Sequence, residues 1–413
     1  MNNTDTTPKK SYNKTQSNNG YKKTAIGLIP VDWEITDLGD FKSGSGFPIN
    51  EQGGNDGIPF YKVSDMNLPE NEVSMTISNN YISEEQVIKL KMKPIKNEAI
   101  IFAKVGAAIF LERKRFAQNF LIDNNMMAFV PKTPSIYLKY YLDYIRLSKY
   151  AQTGALPAYN ASDLKTIQLP IPPLPEQQKI AAILSTWDDA IANCKTTINS
   201  IIDRNKGLAQ QLLTGKKRLS GFTDKWEENL LKKVIVEYKV KSSTENQYEV
   251  LTSSKKGLIK QSEYYNQGRI IDKENKGFNV IPEGFITYRS RSDDSIFTFN
   301  QNKFNFTGIV STYYPVFEFK NCNNNYLVKL LNLNSHKIGR YSVGTSQLVL
   351  SLNELKQIKL SFPQIKEQNA IVEVLDIAEK ELNSYETKLE ALQLQKKGLM
   401  QQLLTGKIRV NVK

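Results

Sequence analysis

The sequence predicts an α+β protein in which two globular domains are joined by two long helices, arranged as a pseudo-two-fold repeat. Three observations predict this fold. The segment GLAQQLLTGK at Gly207 returns as GLMQQLLTGK at Gly398, 191 positions later. Both copies close a long heptad pattern of apolar residues, which is typical of paired helices. The remaining segments contain short apolar runs that are typical of strands.

The repeat extends upstream of the heptads. DLKTIQLPIPPLPEQ, starting at Asp163, aligns without a gap with ELKQIKLSFPQIKEQ, starting at Glu354, again at an offset of 191. VDWEITDL around Trp33 resembles TDKWEENLL around Trp226, but there the offset is 193. The segments between hardly resemble each other, so the chain is a duplicated framework that carries two different inserts.

Each heptad pattern defines an apolar seam with steps of four and three. The first seam is Ile180, Leu184, Trp187, Ile191, Cys194, Ile198, Ile201, Asn205, Leu208 and Leu212, and the second is Ile371, Leu375, Ala378, Leu382, Tyr385, Leu389, Leu392, Lys396, Leu399 and Leu403. We interpret Asn205 and Lys396 as polar residues that fix the register. An intramolecular antiparallel coiled coil is expected, with a homodimer as the alternative.

The expected division of the chain follows from these limits. Residues 1–24 form a polar disordered tail, 25–169 the first globular domain, 170–217 the first helix, 218–360 the second globular domain and 361–413 the second helix. In the first domain, IPFYKV, EAIIFAKVGAAIF and NMMAFVP predict strands, and the segment from Ser135 to Gly154 predicts one helix. SGSGF at Ser43 predicts a turn.

Composition excludes several classes of protein. The chain has 413 residues, two cysteines and one histidine, His336, and it has neither a long apolar run nor an apolar leader. These features predict a soluble cytoplasmic protein without a disulfide framework, a histidine metal site or a Ser/His/Asp triad. No nucleotide-binding, zinc or methyltransferase motif is present, so the sequence predicts no catalysis.

Charge favours a polyanionic partner. Lysine and arginine exceed the acidic residues by 13, and the pI is about 9.3. The excess is spread along the chain, which indicates folded domains that face phosphates. An ordinary basic surface is the alternative.

The paired P-x-x-x-E-Q segments, the heptad helices and the paired L-x-Q-Q-L-L-T-G-K endings resemble the specificity subunit of type I DNA restriction-modification systems. The resemblance is strong over residues 153–218 and 344–409, and near Trp33 and Trp226. It implies a non-catalytic subunit with two target recognition domains. Each would read one half of an asymmetric, bipartite double-stranded DNA target, while the coiled coil sets the spacing and docks the partners.

The resemblance also implies the partners and cofactors. Two modification subunits would carry S-adenosylmethionine, and two restriction subunits would use ATP and Mg for translocation and cleavage. This chain itself would bind no cofactor, no metal and no membrane. Two other functions stay open: a coiled-coil scaffold that binds nucleic acid without any link to modification, and an enzyme with an unrecognised carboxylate site.

Basic, amide, hydroxyl and aromatic residues on expected loops are the candidates for DNA contacts, because such side chains bind base edges and phosphates. For Arg289 and Arg291, salt bridges with Asp293 and Asp294 are the alternative. The candidates in the first domain are Tyr61, Lys62, Ser64, Lys104, Arg113, Lys114, Arg115, Gln118, Tyr159 and Asn160, and those in the second are Ser253, Lys255, Lys256, Tyr288, Arg289, Arg291, Thr345, Ser346 and Gln347.

Overall fold

Each of the two units of this protein contains a part of both long helices. The computed structural model describes residues 20–131, 136–152, 154, 156–255, 257–264, 274–345 and 347–412. The first unit comprises Met1–Cys194 with Lys388–Lys413, and the second comprises Lys195–Thr387.

The first unit begins with a β-rich domain that leads into a long helix. Its strands are β1 (Tyr21–Thr24), β2 (Gly27–Pro30), β3 (Glu34–Asp37), β4 (Asp40–Ser43), β5 (Ile58–Tyr61), β6 (Tyr81–Ile82), β7 (Ala99–Ala103), β8 (Lys114–Ala117), β9 (Leu121–Ile122), β10 (Met126–Val130) and β11 (Gln168–Ile171). Its helices are α1 (Glu84–Lys89), α2 (Ile136–Tyr144), α3 (Ala161–Lys165) and the first part of α4 (Leu174–Leu213).

The apolar run AIIFA forms strand β7. All of its residues are buried, so both faces of the strand are covered, which is why the run contains no polar residue. It lies inside the antiparallel sheet β4-β10-β7-β8. Ile100 and Phe102 pack in a cluster with Trp33, whereas Ala99 and Ile101 pack in a second cluster with Tyr61. A three-stranded sheet, β6-β5-β9, and the pairs β1-β2 and β3-β11 complete the domain.

The second unit has a similar order of elements. Its strands are β12 (Glu227–Leu230), β13 (Ile235–Tyr238), β14 (Glu249–Ser254), β15 (Gly257–Lys260), β16 (Asn279–Ile281), β17 (Ile286–Tyr288), β18 (Arg291–Ser292), β19 (Phe299–Gln301), β20 (Gly308–Val310), β21 (Val316–Phe319), β22 (Leu348–Val349) and β23 (Lys359–Phe362). Its helices are α5 (Gln261–Tyr264), α6 (Asn324–Leu333), α7 (Ser335–Gly339), α8 (Leu352–Lys356) and most of α9 (Ile365–Leu403).

The two inserts share a topology that their sequences do not reveal. The antiparallel sheet β13-β21-β17-β19 repeats the order of β4-β10-β7-β8, and β12-β23 repeats β3-β11. Each domain also has one parallel pair, β5 with β9 and β14 with β20. The duplication therefore includes the globular domains as well as the helices.

Two local predictions in the first domain are wrong. The expected strand EAIIFAKVGAAIF ends at Ala103, and a 3-10 helix, Ala107–Leu111, follows Gly106 with its φ of 83°. The single helix expected from Ser135 to Gly154 is also interrupted, because α2 ends at Tyr144. The amides of Leu147 and Ser148 donate to the carboxylate of Glu112 at 3.2 and 2.9 Å, and this contact replaces helical hydrogen bonds.

The heptad seams are confirmed by burial and pairing, since none of their residues is exposed. In the first unit, Ile180 and Leu184 share a core with Met400 and Leu403. In the second unit, Leu212 shares a core with Ile371 and Leu375. The two helix segments in each unit therefore run antiparallel, and the pairs form within one chain.

The two polar seam residues have different partners. In the second unit, Asn205 Nδ2 donates to the carbonyl of Ala378 at 2.8 Å. In the first unit, Lys396 Nζ binds Asp188 Oδ1 at 2.5 Å and lies 5.1 Å from the ring centroid of Tyr140. Each bond fits one alignment of the paired helices, as expected for residues that fix the register.

A buried glutamate stands at the start of each long helix. In the first unit, Glu176 accepts from Trp33 Nε1 at 2.9 Å and from Arg409 Nε and Nη2 at 2.7 and 2.8 Å. Arg409 also binds Asp32, which holds the pKa of that carboxyl below its usual range. We call this contact among Trp33, Glu176 and Arg409 the first clamp.

The second unit repeats the arrangement as the second clamp. Glu367 accepts from Arg218 Nε and Nη2 at 2.6 and 2.7 Å and from Trp226 Nε1 at 3.2 Å. In each clamp the arginine follows the end of one long helix and the glutamate lies at the start of the other. Each clamp is therefore built from both repeats.

We expect Arg409→Ala to destabilise the first unit by about 3 kcal/mol, because it leaves the buried carboxylate of Glu176 without its cation. Arg204→Ala is the matched control, since Arg204 binds Glu381 at 2.6 Å with both side chains well exposed. Ion pairs between exposed side chains contribute little to stability, because solvent screens them. Denaturant unfolding of both variants tests this, and equal losses would contradict a special role for the clamp.

We predict that alanine has opposite effects on stability at two glycines near the C-terminal end of α9. Gly406 has a φ of 69°, and a Cβ there would lie 2.5 Å from Pro30 Cδ, whereas a Cβ at Gly398 within α9 meets no atom within 4 Å. We expect Gly398→Ala to raise the unfolding free energy by up to about 1 kcal/mol. Gly406→Ala should lower it by at least about 1 kcal/mol. Thermal melts of both variants that shift in the same direction would refute this.

Candidate nucleic-acid interface

Two exposed arginines face one groove in the second unit. Strand β17 ends at Tyr288, and the chain continues through Arg289 to Arg291 in β18. Both arginines line a concavity of about 710 Å³, and Lys255 after β14 lines the same concavity. We call it the arginine groove.

The carboxylates beside the arginine groove do not neutralise the arginines. Asp294 binds Lys255 Nζ at 2.6 Å and accepts from Ser292 Oγ at 2.7 Å. The bond from Lys255, and then that from Ser292, holds the pKa of Asp294 well below its usual range. Among the described residues, neither arginine forms a salt bridge with Asp293 or Asp294, so both guanidinium groups are available to a ligand.

An aromatic residue missed by the sequence reasoning supports Arg291. The guanidinium carbon of Arg291 lies 4.4 Å from the ring centroid of Tyr313, which is a cation–π contact. The Tyr313 ring is exposed, so the pair presents a flat surface to solvent. In the sequence, only the aromatic pair in STYYP indicates Tyr313. Such a pair is equally typical of a buried strand, so it did not identify an exposed residue.

The structure sorts the other candidates by exposure. Ser64, Gln118, Asn160, Lys255, Thr345 and Gln347 are exposed, whereas Lys62, Lys104, Arg113 and Arg115 are partly buried. Arg113 and Arg115 donate to the carbonyls of Met66 and Asn71, so part of each guanidinium is used inside the domain. Lys256 and Ser346 lie outside the described residues.

The predictions for three tyrosines are wrong. Tyr61, Tyr159 and Tyr288 are buried in the cores. The hydroxyls of Tyr61 and Tyr288 donate to the carbonyls of Met75 and Leu350, each at 3.0 Å. Burial raises the pKa of Tyr61 to about 12. A buried aromatic ring with its hydroxyl bound to the main chain serves packing and cannot reach a DNA groove.

Two further candidates are also internal. Lys114 is buried and binds Glu112 at 2.8 Å, as a buried charge requires. Ser253 is buried at the wall of the arginine groove, where its hydroxyl accepts from Asn300 at 2.8 Å. Asn160 is exposed, but its side chain caps α3 by accepting from the amide of Ser162. These three side chains have structural roles.

Within the part of the chain that the structure describes, no cluster of potential metal ligands occurs, and no helix is long and apolar enough to cross a membrane. The features that characterise the candidate site are therefore the exposed guanidinium groups of Arg289 and Arg291 and the exposed ring of Tyr313. Guanidinium forks beside an exposed aromatic ring bind guanine edges or phosphates. The chain has two domains with the same sheet order, and paired helices join them. This architecture places it in the class of proteins that recognise nucleic acid with two tandem domains.

Comparison with known proteins agrees with that class and specifies it. Residues 30–203 and 224–394 match the type I restriction modification DNA specificity domain, and the chain belongs to this family, with two copies in tandem. It is 24% identical over 422 residues to the putative type I restriction enzyme MjaX specificity subunit of Methanocaldococcus jannaschii, covering 94% of this chain and 97% of the relative.

Two other proteins are similar over nearly the whole chain. The type I restriction enzyme MjaVIII specificity subunit of the same organism is 23% identical, with 92% of this chain and 94% of that protein covered. A chain from a structure on the assembly and conformational transition of the type I R-M system matches with a TM-score of 0.53 at 12% identity, covering 92% of this chain and 99% of the other. That likeness supports the fold.

We expect Arg289→Ala and Arg291→Ala each to weaken binding to a specific DNA target by about 5- to 150-fold, the loss of one bidentate base contact. Fluorescence anisotropy with the assembled complex gives the affinities. Lys276→Ala is the control, because Lys276 is exposed in the same unit and does not line the groove. If neither arginine variant changes affinity or the methylated sequence, the assignment of the arginine groove fails.

Proposed function

We propose that each specificity domain reads one half of a bipartite, asymmetric DNA target, and that the paired helices set the spacing and dock the modification subunits. The observation that supports this is the combination of one topology with two different surfaces. The sheets β4-β10-β7-β8 and β13-β21-β17-β19 have the same order, whereas Arg289 and Arg291 correspond by strand register to Ala103 and Val105. Domains that share this sheet order but carry different side chains select different half-sites.

The strand register gives this correspondence. The amide of Leu350 donates to the carbonyl of Ser290, and the amide of Tyr159 donates to that of Lys104, both at 2.9 Å. Ser290 and Lys104 therefore occupy equivalent places beside the segment that enters the helix. The neighbours of Ser290 are arginines and the neighbours of Lys104 are Ala103 and Val105, so the two domains offer different donors to a base edge.

The catalytic steps belong to partners in this proposal. Two modification subunits supply S-adenosylmethionine and methylate adenine, and two restriction subunits use ATP and Mg. This chain contributes recognition, and we place it in the cytoplasm together with the DNA that it reads. Its side chains position the duplex by phosphate contacts and select it by base contacts.

We expect a bipartite, non-palindromic adenine methylation motif in cells that express this chain together with its modification subunit. Single-molecule sequencing of their DNA detects the motif. Cells with the modification subunit alone are the control and should lack it. Arg291→Gln should alter only one half of the motif, because Arg291 belongs to one domain.

Two outcomes would contradict the proposal. A palindromic motif would exclude unequal half-sites. No motif, with both proteins expressed and assembled, would favour a nucleic-acid-binding scaffold that has no part in modification.

A further inference from the structure

A second groove, in the first unit, is lined by four lysines and by no carboxylate. It is a concavity of about 580 Å³ between the irregular segment after β4 and the segment that follows α1. Lys42, Lys91, Lys93 and Lys96 line it, and none of its other described lining residues is acidic. We call it the lysine groove. The sequence reasoning did not select it, although the run KLKMKPIK from Lys89 supplies three of the four lysines.

The four ammonium groups are not neutralised by the protein. All four side chains are exposed, and none forms a salt bridge with another described residue. Like charges that share a concavity repel one another, and low-dielectric walls focus their field. A polyanion that neutralises several of them at once is the ligand that this arrangement favours.

The backbone holds the lysines in place. Lys91 has a φ of 51° directly after α1, where the amide of Met92 donates to the carbonyl of Val87 at 3.0 Å and closes the helix. The amides of Ile95 and Phe120 each donate to the other residue's carbonyl at 2.8 and 3.1 Å. The backbone that carries Lys91 and Lys93 is therefore fixed at both ends, so little backbone order has to be gained when a ligand binds.

The rim adds neutral donors that suit phosphate. Ser43 is the last residue of β4, Ser45 lies in the irregular segment that follows it, and both are exposed at the groove. The turn expected at SGSGF is not present. Lys104 Nζ donates to Ser43 Oγ at 3.2 Å, which brings a fifth lysine to the rim. A Cβ at Gly46 would meet nothing within 4 Å, so there is open space at this residue. Lysine ammonium and serine hydroxyl groups are common partners of DNA phosphates.

The second unit has no equivalent among its described concavities. The arginine groove combines Lys255, Arg289 and Arg291 with three acidic residues, Glu263, Asp293 and Asp294. Another concavity of about 420 Å³ is lined by Lys239 and Lys241 together with Glu237. Glu237 forms salt bridges with Lys239 and Lys356. Both of these concavities in the second unit therefore have acidic residues among their lining, unlike the lysine groove.

We infer that the lysine groove anchors the sugar-phosphate backbone of DNA and supplies the larger share of the salt-dependent affinity, while the arginine groove contributes more to sequence selection. The inference rests on the proposed function, because it assigns unequal tasks to the two recognition domains. Each phosphate neutralised by a lysine releases condensed counterions, so its contribution is measurable as a salt slope.

The test replaces Lys42, Lys91, Lys93 and Lys96 together by glutamine in the full chain, assembled with its modification subunits. Plots of log affinity against log salt concentration are measured for target DNA and for unrelated duplex. We expect the magnitude of the slope to fall by up to about 3.6, at about 0.9 for each lost phosphate contact. The fall should be the same on both DNAs, and the methylated sequence should not change.

The matched control replaces Lys23, Lys149, Lys165 and Lys407 by glutamine, which removes the same charge from exposed positions of the first unit outside the groove and outside the two long helices. We expect its slope to stay close to that of the unchanged chain. Equal falls for the two quadruple variants would overturn the inference, because net charge alone would then explain the effect. Thermal unfolding of both variants verifies that they fold.

Other outcomes separate this inference from the proposed function. An unchanged slope for the groove variant, with sequence-specific methylation intact in the unchanged chain, overturns the anchor alone. A loss of assembly with unchanged DNA binding by the isolated chain would make the ligand an acidic protein surface and would also overturn it. If the unchanged complex shows salt-dependent binding but no sequence preference, the proposed function fails, and a reduced slope in the groove variant still supports the anchor.

Discussion

The buried carboxylate at the start of each long helix is the constraint on which the rest of the structure depends. Glu176 and Glu367 are almost completely buried. A charge in that position is stable only when it is paired and hydrogen-bonded. Its tryptophan donor comes from the domain that precedes the helix, but its arginine comes from the end of the other helix. Neither globular domain can satisfy its own glutamate without the other repeat.

Because of this exchange, the compact units of the structure differ from the domains expected from the order of the sequence. The division into 25–169, 170–217, 218–360 and 361–413 follows the order of the sequence and stays a prediction. The compact units instead take in Lys388–Lys413 with the first domain and the segment from Lys195 with the second. The arrangement resembles domain swapping in that identical elements are exchanged between copies, here within one polypeptide. The two clamps differ in one detail, since Asp32 stands beside Trp33 and Lys225 stands beside Trp226.

Much of this fold could be predicted because two regular patterns in the sequence, the heptad spacing and the repeat at an offset of 191, indicate it. Heptad spacing predicted both helices and their buried faces. Their ends were predicted less well, because α4 covers Leu174–Leu213 of the expected 170–217 and α9 covers Ile365–Leu403 of the expected 361–413. The interruption of α2 could not be predicted, because it depends on Glu112, a residue distant in sequence that binds the amides of Leu147 and Ser148. The shared sheet order was also hidden. Strand pairing depends on alternation and burial, which many sequences satisfy equally well.

The candidate site was predictable by residue type but only partly by position. Arginine is costly to bury, so the choice of Arg289 and Arg291 agreed with their exposure. Tyrosine carries a polar group on a large apolar ring, so composition alone could not separate Tyr61 or Tyr288 from a surface residue. One signal was available for Tyr159, because the offset of 191 aligns it with Leu350, and an apolar partner at an equivalent position favours a core role.

Stability and recognition are carried by different residues in this architecture. The clamps and seams bury their side chains, so substitutions there disturb packing or leave a buried charge without its partner. The side chains that line the two grooves are mostly exposed, and exchanges at such positions usually change stability by about 0.5 kcal/mol or less. The inserts could therefore diverge until their sequences no longer aligned while their strands kept the same order. A framework of this kind allows the recognised DNA to change without a new fold.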